Sequence, residues 1–124
     1  MDSIEQLGQR WRLIYRALAA GTRRQVIGSL LEAPPDRTLS LPEAANLPDY
    51  RLDPEQLRND LVHVHLPLMA RGEFVEWERD PLCVARGPRF EEVAAVILAV
   101  DDYDEFPAHL TEGCHFHEQN GVEQ

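Results

Sequence analysis

Apolar residues recur at helical spacing along much of the chain, and glycines and prolines separate the segments. In the first segment Leu7, Trp11 and Leu18 share one face, which is typical of an amphipathic helix. Glycine favours the position after a helix and proline cannot continue one, so both mark ends. On this basis the sequence predicts four helices, over residues 4–20, 23–32, 41–46 and 53–71.

Possible capping side chains support three of these helix starts. In a capping box, a hydroxyl accepts from the N3 amide while a Gln or Glu side chain reaches back to the N-cap amide. Two boxes are predicted, Thr22 with Gln25 and Ser40 with Glu43. At the fourth helix Asp53 is the predicted N-cap and Pro54 follows it, where the missing amide hydrogen costs nothing.

Beyond Gly72 the pattern changes from helical to β-prone. Two short apolar stretches separated by a polar turn predict a β-hairpin over residues 73–85, with Arg79 at its tip. Residues 90–100 return to helix-forming residues that are apolar on most of the circumference, so we expect this helix to be buried. From residue 105 the acidic composition predicts disorder.

This order of elements is the connectivity of a winged helix-turn-helix. The predicted fold is mainly α with a small β-hairpin, a winged helix-turn-helix flanked by extra N- and C-terminal helices. The fourth helix would be the recognition helix and the hairpin the wing. The predicted segments are an N-terminal helix for dimerisation (1–20), the winged helix-turn-helix domain (21–86), a C-terminal helix (87–104) and an acidic tail (105–124).

The chain carries the element His63-Val64-His65-Leu66-Pro67, followed by Ala70-Arg71-Gly72 as a turn into the first wing strand. In this it resembles a large haloarchaeal family of small winged-helix domains of unknown function. Thr22-Arg23-Arg24-Gln25 is similar to the family's Arg-rich entry into its first helix. The resemblance spans roughly residues 21–86 and implies a winged-helix fold and a transcriptional regulator without catalytic residues. Leu68 departs from the family, where a Lys is usual after the Pro, and so removes a cation near the DNA-facing surface.

The predicted recognition helix offers polar side chains on the face opposite its predicted core stripe. Steps of about 100° per residue define that stripe, and its members are Leu57, Leu61, Val64 and Leu68. Asn and Gln can pair with adenine, Arg with guanine, and a valine can contact a thymine methyl group, while further arginines can bind phosphates. The predicted DNA-binding residues are Arg51, Gln56, Arg58, Asn59, Val62, His63 and Arg79.

Three features of this helix qualify that interpretation. Val62 and Leu66, one turn apart on the supposed DNA face, could equally pack against a flanking helix. Pro67 removes the amide that would donate to the His63 carbonyl, so a kink or an early end is expected. His63 and His65 lie on different faces, which predicts one exposed and one half-buried imidazole and disfavours a shared metal.

Net charge does not exclude a nucleic-acid partner. The formal net charge is −10, from 22 acidic and 12 basic residues, but seven of the acidic residues and no basic ones lie in 101–124. Residues 1–100 are therefore nearly balanced. Arg23 and Arg24, in a basic N-terminal segment, are further candidates for phosphate contacts. Alternatively, the arginines of this segment pair with the acidic tail or with Glu91 and Glu92.

All 12 basic residues are arginine. An acidic, lysine-free composition is typical of extreme halophiles, and the alternative is a GC-rich genome that replaces Lys codons by Arg codons. The chain has no apolar run long enough to span a bilayer, no signal peptide is expected, and its only cysteines are Cys83 and Cys114. We therefore expect a cytoplasmic protein without a disulfide framework.

Motifs for other chemistry are weak. The tail places His109, Cys114, His115 and His117 within nine residues, but a second pair of ligands is missing, so a metal- or redox-responsive tail is only a third hypothesis. The sequence contains no phosphate-binding loop and no hydrolase or metalloprotease motif, so neither an enzyme nor a cofactor is predicted.

The two flanking helices add more apolar surface than a winged-helix domain needs, which predicts a homodimer with two recognition helices about one DNA turn apart. The alternative is that both helices cap their own domain. The predicted dimer contacts are Leu7, Trp11, Ile14, Tyr15, Leu18, Val93, Val96, Ile97 and Val100. The leading hypothesis is a dimeric transcriptional regulator that binds double-stranded DNA sequence-specifically. The other is a protein-interaction module without DNA binding that uses Val62 and Leu66.

Overall fold

The computed structural model describes residues 3–46 and 53–111. Two helices come first, and a short strand and a 3₁₀ turn follow them. These elements are α1 (Ile4–Leu18), α2 (Gly21–Glu32), β1 (Leu39–Ser40) and the turn Glu43–Ala45. Residues 54–71 then form one long helix, in three segments: α3 (Pro54–Asp60), a π-helical turn (Leu61–His65) and α4 (Leu66–Arg71). A hairpin and two further helices complete the fold: β2 (Val75–Arg79), β3 (Leu82–Arg86), α5 (Phe90–Asp102) and α6 (Ala108–Thr111).

The three strands form one antiparallel sheet in the order β1-β3-β2. β1 pairs with β3, with Leu39 opposite Val84, and β2 pairs with β3 along its length. Because side chains alternate along a strand, Val75 and Val84 enter the core while Glu76 and Glu78 face solvent. The molecule is a helix-rich, winged-helix-like fold with a small sheet and extra helices, and the predicted fold class is confirmed.

Two predicted capping boxes are wrong. The Leu41 amide donates to the Leu82 carbonyl at 3.0 Å, so Ser40 belongs to the sheet and only the short 3₁₀ turn forms where a helix over residues 41–46 was expected. Thr22 lies inside α2, which begins at Gly21 with no side-chain cap. Pairing with a strand more than 40 residues away therefore overrides the local motif at Ser40.

Side chains do cap two other helix starts. Asp53 accepts from the Gln56 amide at 3.0 Å and Pro54 follows it, as predicted. At α1 a capping box joins Ser3 and Gln6, with the Gln6 amide 3.1 Å from the hydroxyl and the Ser3 amide 2.7 Å from Oε1. Each cap satisfies amides that have no partner within the helix.

The flanking helices pack into the same core as the rest of the molecule. Ile14 of α1 and Val93 and Ile97 of α5 are buried in one continuous apolar cluster with the sheet and the long helix. The predicted dimer contacts at these three positions are therefore wrong, and at these positions the helices cap their own domain. Three further predicted contacts are half-buried, Leu18, Val96 and Val100. Another three are exposed, Leu7, Trp11 and Tyr15.

The C-terminal part differs from expectation in two ways. α5 buries one side only, and Leu98 on its outer side is exposed. Ala108–Thr111 form a helical turn where disorder was predicted from residue 105, and residues 112–124 lie outside the described part. Within the described residues, no helix combines the length and the apolar character needed to cross a membrane.

The long helix continues past Pro67 by way of its π turn. The amide of Leu66 donates to the carbonyl of Leu61, five residues back. A π turn accommodates one more residue than an α turn, so everything after it is rotated by about 100° relative to a regular helix. The expected kink or early end is thus replaced by a change of helical phase.

This change moves the buried face by one residue. Leu57 and Leu61 precede or begin the turn and are buried as predicted. Val64, within the turn, was predicted for the core but is 49% exposed. After the turn, Leu66 and Met69 are fully buried, whereas Leu68, also predicted for the core, is only half-buried against it. The predicted core stripe is correct before the turn and displaced after it.

Backbone contacts fix the hairpin against the end of the long helix. A Cβ on Gly87 would lie 2.6 Å from the Glu73 carbonyl oxygen and 2.8 Å from the Val75 amide nitrogen, so only glycine fits. The Gly87 amide donates to the Phe74 carbonyl at 2.9 Å. Gly87 therefore allows the end of the hairpin to pack closely against the backbone that follows the long helix.

The displaced face can be tested with one type of substitution. Val62→Ala should lower the free energy of unfolding by about 2 kcal/mol because Val62 is buried. Val64→Ala should change it by less than about 0.5 kcal/mol because Val64 is half-exposed. Urea denaturation of both variants measures the difference, and the reverse order would contradict the burial of Val62 and the exposure of Val64.

Candidate nucleic-acid interface

A shallow cleft of about 370 Å³ lies between the first half of the long helix and the tip of the hairpin. The helix contributes residues spaced three, four and seven apart, which share one face. The lining residues are Glu55, Arg58, Asn59, Val62, His63 and Arg79. The cleft therefore brings together five of the seven predicted DNA-binding residues.

Arg58 connects the helix to the hairpin tip. Its Nη2 donates to the carbonyl oxygen of Arg79 at 3.3 Å and lies 3.7 Å from Oδ1 of Asp80. The Arg58 and Asp80 side chains are 44% and 87% exposed, and such pairs contribute about 0–1 kcal/mol. The guanidinium can thus exchange these acceptors for others at small cost.

The remaining predicted base readers differ in position. Gln56 is exposed, but its Nε2 donates to Oδ1 of Asp60 at 3.0 Å and its side chain does not line the cleft. Arg51 lies outside the described residues. Glu55 was not among the predicted residues, although its spacing of three and four from Arg58 and Asn59 places it on the same face.

Val62 and Leu66 are not an exposed apolar pair. Val62 is 8% exposed, at the base of the cleft, and Leu66 is fully buried. The expectation that both lie on the outer face is therefore wrong, and for Leu66, directly after the π turn, the change of helical phase is the reason. The protein-interaction hypothesis thereby loses the surface pair on which it depended.

Arg23 and Arg24 serve the end of α1 and do not form a phosphate-binding surface. Arg23 is buried, its Nε donates to the Ala17 carbonyl at 3.1 Å and its Nη2 to the Arg16 carbonyl at 2.9 Å. Nη1 of Arg24 donates to the Leu18 carbonyl at 2.6 Å. Cations near the C-terminal end of a helix stabilise it through these carbonyls and the helix dipole.

Arg10 pairs with an acidic residue of α5, which is the alternative that the sequence offered to a phosphate contact. It donates to the Glu92 carboxylate at 2.6 and 3.0 Å, donates to the Gly72 carbonyl at 2.8 Å, and lies 5.4 Å from the centre of the Phe74 ring. Glu91, the other proposed acidic partner, is exposed. Arg10 therefore joins α1, α5 and the end of the long helix.

The cleft presents two guanidinium groups, an amide and an imidazole beside one carboxylate. Protein-family models, curated proteins and solved structures give no match to this chain. The kind of ligand that the cleft could bind is therefore inferred from its side chains. Guanidinium and amide groups suit the guanine and adenine edges in the major groove, and a carboxylate can accept from cytosine.

The two histidines of the long helix lie in different surroundings, as predicted. His63 is exposed at the cleft, and His65 is half-buried beside Arg23. Nη1 of Arg23 lies 3.0 Å from Nδ1 of His65. Because a guanidinium can only donate, Nδ1 accepts and the ring carries its proton on Nε2.

Burial lowers the pKa of His65, and the positive charge of Arg23 lowers it further, while Asp60 opposes both effects. Burial also lowers the pKa of Arg23, with contributions from Arg24 and Arg16. Burial and the charge of Arg23 thus favour the neutral imidazole of His65. Protonation of Nδ1 would break its hydrogen bond with Arg23.

Metal ligands do not assemble in the described part of the chain. There, no group of three or more His, Cys, Asp or Glu side chains is placed to hold a metal ion. Cys83 is a half-buried free thiol and His109 is exposed. The other proposed tail ligands, Cys114, His115 and His117, lie outside the described residues.

The lowered pKa of His65 predicts a pH-dependent stability. Below the ordinary imidazole pKa of about 6.5, the unfolded chain binds a proton that the folded protein does not, so stability falls as pH falls. His65→Gln keeps an acceptor for Arg23 but does not titrate. Its free energy of unfolding should fall less than that of the wild type between pH 8 and about pH 5.

Urea denaturation at a series of pH values measures this difference. His63→Gln is the matched control and should keep the wild-type profile because it leaves the contact between Arg23 and His65 intact. Parallel profiles for wild type and His65→Gln would contradict the prediction.

Proposed function

We propose that the protein is a sequence-specific DNA-binding transcriptional regulator, with the long helix as its recognition helix and the hairpin as its wing. The observation that carries the proposal is the cleft, in which Arg58, Asn59, His63 and Arg79 stand together on a winged-helix-like fold. The resemblance of the His63-to-Pro67 element to a haloarchaeal winged-helix family supports the winged-helix fold on which this proposal depends.

Arg58 and Asn59 are the proposed base readers. They are adjacent and exposed on the outer face of α3. Arg58 would pair with guanine O6 and N7, and Asn59 with adenine N6 and N7. Arg79, at the end of β2, would contact the phosphate backbone beside the groove.

Charge in and around the cleft is balanced. Arg58 and Arg79 are offset by Glu55 at the rim and Asp80 at the hairpin tip. Phosphate attraction is therefore small, and contacts to base edges must supply a larger share of the affinity. Such binding depends weakly on salt, which suits the halophilic setting that the acidic, lysine-free composition indicates. A cytoplasmic location is proposed separately, from the expected lack of a disulfide framework.

We expect DNA selected from a random duplex pool in high KCl to share a defined motif. Replacing both base readers, Arg58→Ala with Asn59→Ala, should weaken binding to the selected DNA at least about 30-fold, since each bidentate pair contributes about 1–3 kcal/mol. Fluorescence anisotropy measures the affinity, and circular dichroism confirms that the variant is folded.

Arg37→Ala is the charge-matched control. Arg37 is exposed in the segment before β1, and the pairing of Leu39 with Val84 directs that segment away from the hairpin tip. This variant should bind within about twofold of wild type. An unenriched pool, or an equal loss in Arg37→Ala, would refute sequence-specific binding through the cleft.

A further inference from the structure

The outer side of α1 carries a continuous apolar stripe. Its members are spaced three and four residues apart, so they lie along one side of the helix. They are Ile4, Leu7, Trp11 and Tyr15, and their exposed fractions are 88%, 48%, 47% and 64%. The Trp11 and Tyr15 ring centroids are 5.5 Å apart. An exposed run of large apolar residues with paired aromatic rings is typical of a contact surface.

The stripe cannot turn inward, because the other side of α1 is fixed. Ile14 and Ala17 are buried in the core. Arg10 holds the middle of the helix to Gly72 and Glu92, and Arg23 holds its C-terminal end. Within residues 3–46 and 53–111, the stripe is therefore left uncovered.

Charges beside the stripe favour a second copy of the same helix running in the opposite direction. Glu5 lies in the first turn, and Arg12 and Arg16 follow it seven and eleven residues later on the same flank. With two α1 helices antiparallel about a two-fold axis near Trp11, Glu5 of one copy lies beside Arg16 of the partner subunit, and Leu7 beside its Tyr15. A parallel arrangement lacks this pairing.

We propose that α1 is a homodimerisation helix that docks antiparallel onto α1 of a second copy through Ile4, Leu7, Trp11 and Tyr15. This inference goes beyond the proposed function, because it gives the homodimer expected from the sequence a surface and an orientation. Arg10 and Arg23 attach α1 to the second half of the long helix, at Gly72 and His65, whereas the cleft lies along its first half. The dimer and the cleft thus use different residues.

The proposed contact surface is small. A helix of 15 residues is about 22 Å long. The four side chains of the stripe are far fewer than the roughly 20–30 residues per side of a standard interface. The dimer should therefore dissociate on dilution within an accessible range of concentration.

Sedimentation velocity of the full chain from about 1 µM to about 1 mM tests the inference without DNA, so it can fail independently of DNA binding. The wild type should pass from the mass of one chain to twice that mass. Trp11→Glu should remain a single chain throughout, and Tyr15→Glu should do the same if the first variant is misfolded by circular dichroism. Leu98→Glu, at an exposed position on α5, is the matched control and should dimerise like wild type.

Charge reversal tests the orientation at the lowest salt at which the fold is retained, since salt screens exposed pairs. Glu5→Arg should weaken the dimer, and adding Arg16→Glu to the same chain should restore it. A single chain at every concentration, or equal disruption by Leu98→Glu and Trp11→Glu, would overturn the proposed surface. Failure of the double variant to recover would overturn the antiparallel arrangement.

Discussion

The missing amide hydrogen of Pro67 limits how the backbone of the long helix can form hydrogen bonds. The resulting helix geometry determines which of its side chains face the core. A regular α-helix would leave the His63 carbonyl without a donor and press the proline ring against it. The π turn, in which the Leu66 amide donates five residues back to Leu61, lets the helix continue. As a result, the helix after the turn is rotated by about 100° relative to a regular helix, so each side chain there points where its neighbour in sequence would otherwise point.

That rotation separates the two halves of the helix by role. Before the turn, Arg58 and Asn59 stay on the outer face and border the cleft. After it, Leu66 and Met69 complete the core. His65, within the turn itself, reaches Arg23 and so connects the helix to the end of α1. The π turn thus determines the core contacts that follow it and the attachment of the N-terminal helix, while Arg58 and Asn59 before it keep the phase of a regular helix.

Sequence reasoning succeeded where structure follows from neighbouring residues and failed where it depends on distant ones. The Asp53 cap and the hairpin are local and were predicted. Ser40 carries an equally good capping motif, but pairing of β1 with β3 takes its backbone into the sheet. The predicted buried face of the second half of the long helix is wrong for a different reason. The periodicity analysis assumes a regular helix of 3.6 residues per turn. Pro67 is compatible with a kink, a helix end or a π turn, and the sequence does not distinguish between them.

The arginines show the same limit more generally. In the sequence several of them are candidates for phosphate contacts, yet in the structure many bond to carbonyls at the ends of helices. Arg86 donates to the Leu30 and Ala33 carbonyls at 2.8 and 3.1 Å and covers the Phe90 ring, while Arg10 reaches a carbonyl 62 residues away. A guanidinium has five donors in a fixed plane and can bond several carbonyls while its flat face contacts a ring, which an ammonium cannot do. The lysine-free composition therefore serves the interior as well as the surface, and the arginines left exposed at the cleft are those that helix ends do not use.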